Sequence, residues 1–74
     1  MFEEVKEIIS KYTEAENITE DSSLTKDLML TSLDVVSMVG DFEDVFDIEI
    51  VDEDVIQMKT VGDILKYLKN KGIK

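Results

Sequence analysis

A chain of 74 residues with eight lysines, no arginine and eighteen acidic residues carries a formal net charge of −10. A field of that sign repels nucleic-acid phosphates and anionic lipid, so the expected partners are basic patches on other proteins. Cysteine and histidine are both absent, which excludes disulfides and any Ser-His or Cys-His catalytic pair.

The length predicts one domain over residues 1–74, with a thin core that helical packing alone must supply. No apolar run approaches the ~20 residues that span a bilayer, and no membrane insertion is expected. The opening residues Met1 to Glu7 are acidic and amphipathic, unlike a signal or transit peptide. A cytoplasmic monomer is the expectation.

Apolar residues at helical spacing begin at once: Phe2, Val5, Ile8, Ile9 and Tyr12 predict a first helix over about residues 2–14. A long connection follows, over about residues 15–31. It is polar at first and then carries Leu24, Leu28 and Leu30, which are expected to pin it across the other helices. Val35, Met38, Val39, Phe42, Val45 and Phe46 form the stripe of a second helix over about 32–47, with Thr31 and Asp34 placed as a capping box. Phe46 to Ile50 alternates like a strand, but a lone strand has no partner. It reads as an extended connector with Ile48 or Ile50 facing in.

Asp52-Glu53-Asp54 before Val55-Ile56 predicts a third helix of one to two turns. Val61, Ile64, Leu65 and Leu68 predict a last helix over about 60–71, opened by Thr60 with Asp63 and closed by Gly72. The predicted fold class is all-α: a four-helix bundle with three main helices, one short third helix and a long loop between the first two.

Ser32 is the residue of most chemical interest. It stands where polar sequence gives way to the second helix, in Leu30-Thr31-Ser32-Leu33-Asp34. Nothing in the chain activates it as a nucleophile, so it reads as a hydroxyl that another enzyme modifies. The chain itself is not expected to be an enzyme.

Asp27-Leu28-Met29-Leu30-Thr31-Ser32-Leu33-Asp34 resembles the D-L-G-x-D-S-L-D signature of acyl carrier proteins. Phe46 to Ile50 with Asp52-Glu53-Asp54 resembles their F-D-x-E-I-P-D-E-D segment. Thr60-Val61-Gly62-Asp63 and Tyr67-Leu68 resemble their T-V-x-D…Y-I ending. The resemblance covers nearly the whole chain in order. It implies that Ser32 carries 4′-phosphopantetheine, added from coenzyme A by a phosphopantetheinyl transferase. The arm's thiol then holds acyl groups as thioesters for fatty acid synthesis enzymes. A phosphodiester on Ser32 would lie at a helix N-terminus, where free N–H groups and the helix dipole favour an anion.

The departures from the signature are specific. Thr31 replaces the usual Asp and removes a carboxylate beside Ser32, though Thr still caps a helix. Met29 replaces Gly, so this turn either avoids positive φ or bears strain. Ser37 stands where Glu is common, and Val51 replaces Pro. Gly40 sits inside the second helix at a cost of about 1 kcal/mol relative to Ala.

No lysine occurs from Asp27 to Met58. Leu33, Asp34, Val36, Asp41, Glu43, Asp44, Glu49 and Asp52 are the expected docking residues toward basic patches, with Met38 considered as a further apolar contact. By position in the family, the acyl chain would lie among Met38, Val39, Phe42, Ile50, Val55, Met58, Ile64 and Tyr67. The Phe42 ring stands where the family more often has a smaller side chain, which implies a limit on chain depth. The alternatives are a specialised polyketide or peptidyl carrier, and an unmodified acidic interaction module. A calcium-binding EF-hand is rejected, because no D-x-D-x-D-G run with a Glu at the twelfth position occurs. No metal site is expected.

Overall fold

The computed structural model describes residues 1–73 and contains α1 (Phe2–Ile9), α2 (Ser32–Phe46), α3 (Asp52–Gln57) and α4 (Val61–Asn70). Among the described residues the one β feature is an isolated bridge between Ser23 and Thr60. The Phe46–Ile50 alternation makes no strand. Ile50 is buried there and Ile48 packs on the core from the side.

The core is a single cluster fed by every predicted stripe. Val5, Ile8 and Ile9 come from α1, Met38, Val39 and Phe42 from α2, and Val61, Ile64 and Leu68 from α4. The loop leucines Leu24, Leu28 and Leu30 are buried as expected, and Ile18 joins them. α3 buries no residue fully. Val45, read as part of the α2 stripe, is 55% exposed. It lies at the edge of the stripe, and the core is filled without it.

The first helix is shorter than the apolar spacing predicts. After Ile9 the chain tightens, with Lys11 N–H donating to the Ile8 carbonyl and Tyr12 N–H to that of Ile9, the i→i−3 pattern of a helix end. Thr13 then leaves the helix. Its hydroxyl donates to the Leu28 carbonyl at 2.8 Å and accepts from Ala15 N–H at 3.2 Å. A side chain that offers the backbone such partners competes with helix continuation.

Glycine geometry sets both ends of α4. Gly72 takes φ +91° after α4, donating to the Lys69 carbonyl while Ile73 N–H donates to that of Leu68, a Schellman close. Gly62 admits the long loop. Its N–H donates to the Glu20 carbonyl at 2.8 Å, and a Cβ there would lie 3.1 Å from that oxygen.

Candidate functional site

Thr31 is the N-cap of α2, with φ −84° and ψ 171°. Its hydroxyl accepts from Asp34 N–H at 3.1 Å, and the Asp34 carboxylate accepts from Thr31 N–H at 3.0 Å. Asp in place of the usual Glu therefore completes a reciprocal capping box. The box fixes Ser32 as the first helical residue, and its side chain is exposed. The N–H groups of Ser32 and Leu33 have no acceptor among the described residues. Two free donors and the positive end of a fifteen-residue helix thus surround an accessible hydroxyl.

Upstream, Met29 sits at φ +55° and is 79% exposed. Of the two outcomes for this turn, the chain takes the strained one, because a side chain replaces glycine in the left-handed region. Asp47, at φ +54°, closes α2 in the same way.

The expected docking residues divide into two groups. Leu33 at 79%, Val36 at 66%, Asp44, Glu49 and Asp52 are exposed. Asp34, Asp41 and Glu43 are half-buried and hold the fold. Asp34 serves the box, Asp41 accepts from the Tyr12 hydroxyl, and Glu43 accepts from Ile50 N–H at 2.9 Å. Met38 is fully buried and lies away from the surface.

The residues expected to line an acyl site form part of the core. Met38, Val39, Phe42, Ile50, Met58 and Ile64 are buried, while Val55 and Tyr67 pack on them half-buried. Phe42 stacks on Phe46 with ring centres 6.3 Å apart.

Two tyrosines make links that the sequence reading did not foresee. Tyr12 is held to Asp41, and that hydrogen bond, with partial desolvation and nearby carboxylate charge, raises its pKa. Tyr67 donates to Asp54 at 2.7 Å, joining α4 to α3. Burial first, then the Asp54 bond and charge, push its pKa up to about 12. Each pair joins residues distant in sequence, so no local pattern marks it. Ile56 and Val51 add two exposed large apolar side chains on and just before α3.

Residues 3–68 match the family described as "Phosphopantetheine attachment site". The chain is 40% identical over 73 residues to the acyl carrier protein of Thermotoga maritima, covering 96% of this chain and 90% of that protein. The chain belongs to the acyl carrier protein family. An acyl carrier protein of a Sulfurovum species is 39% identical over 72 residues, covering 95% of this chain and 96% of that one. A solved structure from Mycobacterium tuberculosis, described as a candidate acyl carrier protein, superposes with a TM-score of 0.87 at 30% identity. It covers 93% of this chain and 95% of that one.

The carrier's four helices among the described residues are those of its family, its role is carriage, and its cofactor is 4′-phosphopantetheine. Families of this kind work with synthase-type enzymes. The residues around Ser32 fit the group, since an exposed hydroxyl and two free N–H donors suit a phosphodiester. No helix among the described residues is long and apolar enough to cross a membrane.

Proposed function

We propose that Ser32 carries the 4′-phosphopantetheine group, and that residues 1–74 act as one domain presenting acyl groups to fatty acid synthesis enzymes, with no reaction of its own. The observation that carries this reading is the open N-terminus of α2, where Ser32 is exposed and the Ser32 and Leu33 N–H groups are unclaimed. When bound, the group supplies a flexible arm ending in a thiol that holds acyl groups as thioesters. Thr31 and Asp34 hold the first turn rigid, so the serine hydroxyl meets the transferase in a fixed position. The two N–H donors and the helix dipole balance the phosphate charge.

Leu33 and Val36 form an apolar contact beside the attachment point, and Asp44, Glu49 and Asp52 steer basic partner surfaces toward it. An acyl chain lodges by parting the core around Met38, Val39, Phe42, Ile50, Val55, Met58, Ile64 and Tyr67. The Phe42 ring, stacked on Phe46, sets how far it enters.

Intact-mass analysis after incubation with coenzyme A and a phosphopantetheinyl transferase tests the central step. Wild type gains one phosphopantetheine and Ser32→Ala gains none. Modification of the alanine variant, or at Ser10, Ser22, Ser23 or Ser37, would overturn the reading. For docking, Asp44→Lys with Asp52→Lys raises the transferase KM. Added salt weakens the wild-type encounter, because exposed charges are screened over about 8 Å at physiological ionic strength. A KM unmoved by either change removes the electrostatic part.

A further inference from the structure

Met29 holds a positive φ, and its side chain is as exposed as that of Leu33. The fold dictates the backbone. Leu28 N–H donates to the Ser23 carbonyl at 3.0 Å and Leu30 N–H to that of Leu24 at 2.9 Å, while the Leu28 carbonyl accepts from the Thr13 hydroxyl. Leu28 and Leu30 are both buried, so residue 29 is clamped between two anchors and turned outward.

The fold does not dictate the side chain. Glycine takes a positive φ without strain and asparagine with little, and glycine is the residue of the D-L-G-x-D-S-L-D signature. Among the described residues the other non-glycine at positive φ is Asp47, a short polar residue of the tolerant kind that closes α2. Met29 ends no helix and takes no part in the core cluster. A strained backbone that presents a large apolar side chain to water points to a role outside the fold.

Its place says which role. Met29 lies three residues before Ser32, so their Cα atoms are at most about 11 Å apart. An enzyme that modifies Ser32 has to bring its reacting groups to the serine hydroxyl itself. A standard interface covers about 800 Å² on each partner, a disc about 16 Å in radius. Centred on Ser32, that disc includes Met29. Enzymes that act later meet the far end of a flexible arm and are free of this constraint. An apolar side chain on a clamped backbone binds at little ordering cost, and a thioether adapts to the surface it meets. A groove of about 340 Å³, lined by residues 12–15 and 27–29, gives partner atoms room beside it.

We infer that Met29 is an apolar contact for the transferase that modifies Ser32, on the loop side of the serine as Leu33 and Val36 are on the helix side. The inference rests on the reading of Ser32 as the attachment site and adds a residue by which the modifying enzyme recognises this carrier.

Phosphopantetheine transfer from coenzyme A is followed by intact mass for wild type, Met29→Asn, Met29→Leu and Val45→Asn. Asparagine suits the left-handed backbone and removes the apolar surface, whereas leucine keeps that surface. Val45 is also exposed, but it lies thirteen residues along α2 from Ser32, about 20 Å away and outside the disc. Met29→Asn should raise the KM for the carrier about tenfold, the scale of burying one large apolar side chain, and leave kcat unchanged. Met29→Leu and Val45→Asn should both match wild type. In denaturant unfolding Met29→Asn should be at least as stable as wild type, which separates a lost contact from a lost fold. An unmoved KM in Met29→Asn overturns the inference. So does a fall in kcat at constant KM, which would make Met29 a determinant of the serine's position. A destabilised Met29→Asn, or a leucine variant as poor as the asparagine one, overturns it too. A wild type that gains no phosphopantetheine overturns the Ser32 reading instead, and the mass spectrum reports this before any variant is compared.

Discussion

The N-termini of α2 and α4 open with the same device and are put to opposite uses. Thr31 with Asp34 and Thr60 with Asp63 form matching reciprocal capping boxes. At α4 the next two donors are taken by the long loop, Val61 N–H by the Ser22 carbonyl at 3.1 Å and Gly62 N–H by that of Glu20 at 2.8 Å. Val61 is fully buried beneath them. At α2 the equivalent N–H groups belong to Ser32 and Leu33 and have no acceptor among the described residues. Both side chains there face water. A capping box therefore says only where a helix begins. The two residues inside it decide whether the end is sealed or open: Val-Gly invites a covering backbone, and Ser-Leu does not.

Exchanging the inner residues breaks the comparison with the largest effect. Gly62→Val places a branched side chain where even a Cβ lies 3.1 Å from the Glu20 carbonyl. Thermal unfolding should show a loss of about 2 kcal/mol, as for other overpacked sites. Leu33→Val, at the matching position of α2, is an exposed change and should stay within about 0.5 kcal/mol. Equal losses would mean that the loop does not seal α4.

The approach to the open end carries strain that the sealed end lacks. Met29 lies at φ +55°, so Met29→Gly should stabilise the protein by about 1 kcal/mol in denaturant unfolding. A destabilised variant would show that the exposed Met side chain matters more than its backbone conformation.

The sealed end should also contribute to acid sensitivity. Backbone donation from Lys59 leads the influences that lower the Asp63 pKa, with further donation from Thr60 and the charge of Lys66 opposing a desolvation effect. A carboxyl whose folded pKa is depressed adds stability above its ordinary value, and that stability is lost as pH falls through the lower folded value. Asp63→Asn should flatten this part of the acid unfolding curve while leaving neutral-pH modification of Ser32 intact. An unchanged acid curve would remove Asp63 from the account.

Much of this was legible in the chain. The apolar stripes marked α1, α2 and α4, the acidic Asp52-Glu53-Asp54 before Val55-Ile56 marked the short α3, the leucines at 24, 28 and 30 marked the loop's anchors, and both Thr-x-x-Asp boxes marked helix starts to the residue. Ser32 stood out because its flanking motif and its helix-start position agree. The premature end of α1 was not legible, because it depends on Thr13 finding the Leu28 carbonyl across the fold. Nor were the structural duties of Asp41 and Glu43. Charge patterning places both on the acidic face, while their hydrogen bonds to Tyr12 and Ile50 N–H arise only once α2 is packed. The sealing of α4 was hidden for the same reason, since Glu20 and Ser22 look like any polar loop.

Amide hydrogen exchange at Ser32, Leu33, Val61 and Gly62 in the unmodified protein, followed by their amide proton shifts after phosphopantetheine transfer, tests the central claim most directly. The account predicts fast exchange at Ser32 and Leu33 and protection at Val61 and Gly62. After transfer, the first pair should move downfield and the second pair should stay in place. Protection at Leu33 before transfer, or shifts at Gly62 as large as those at Ser32, would contradict it.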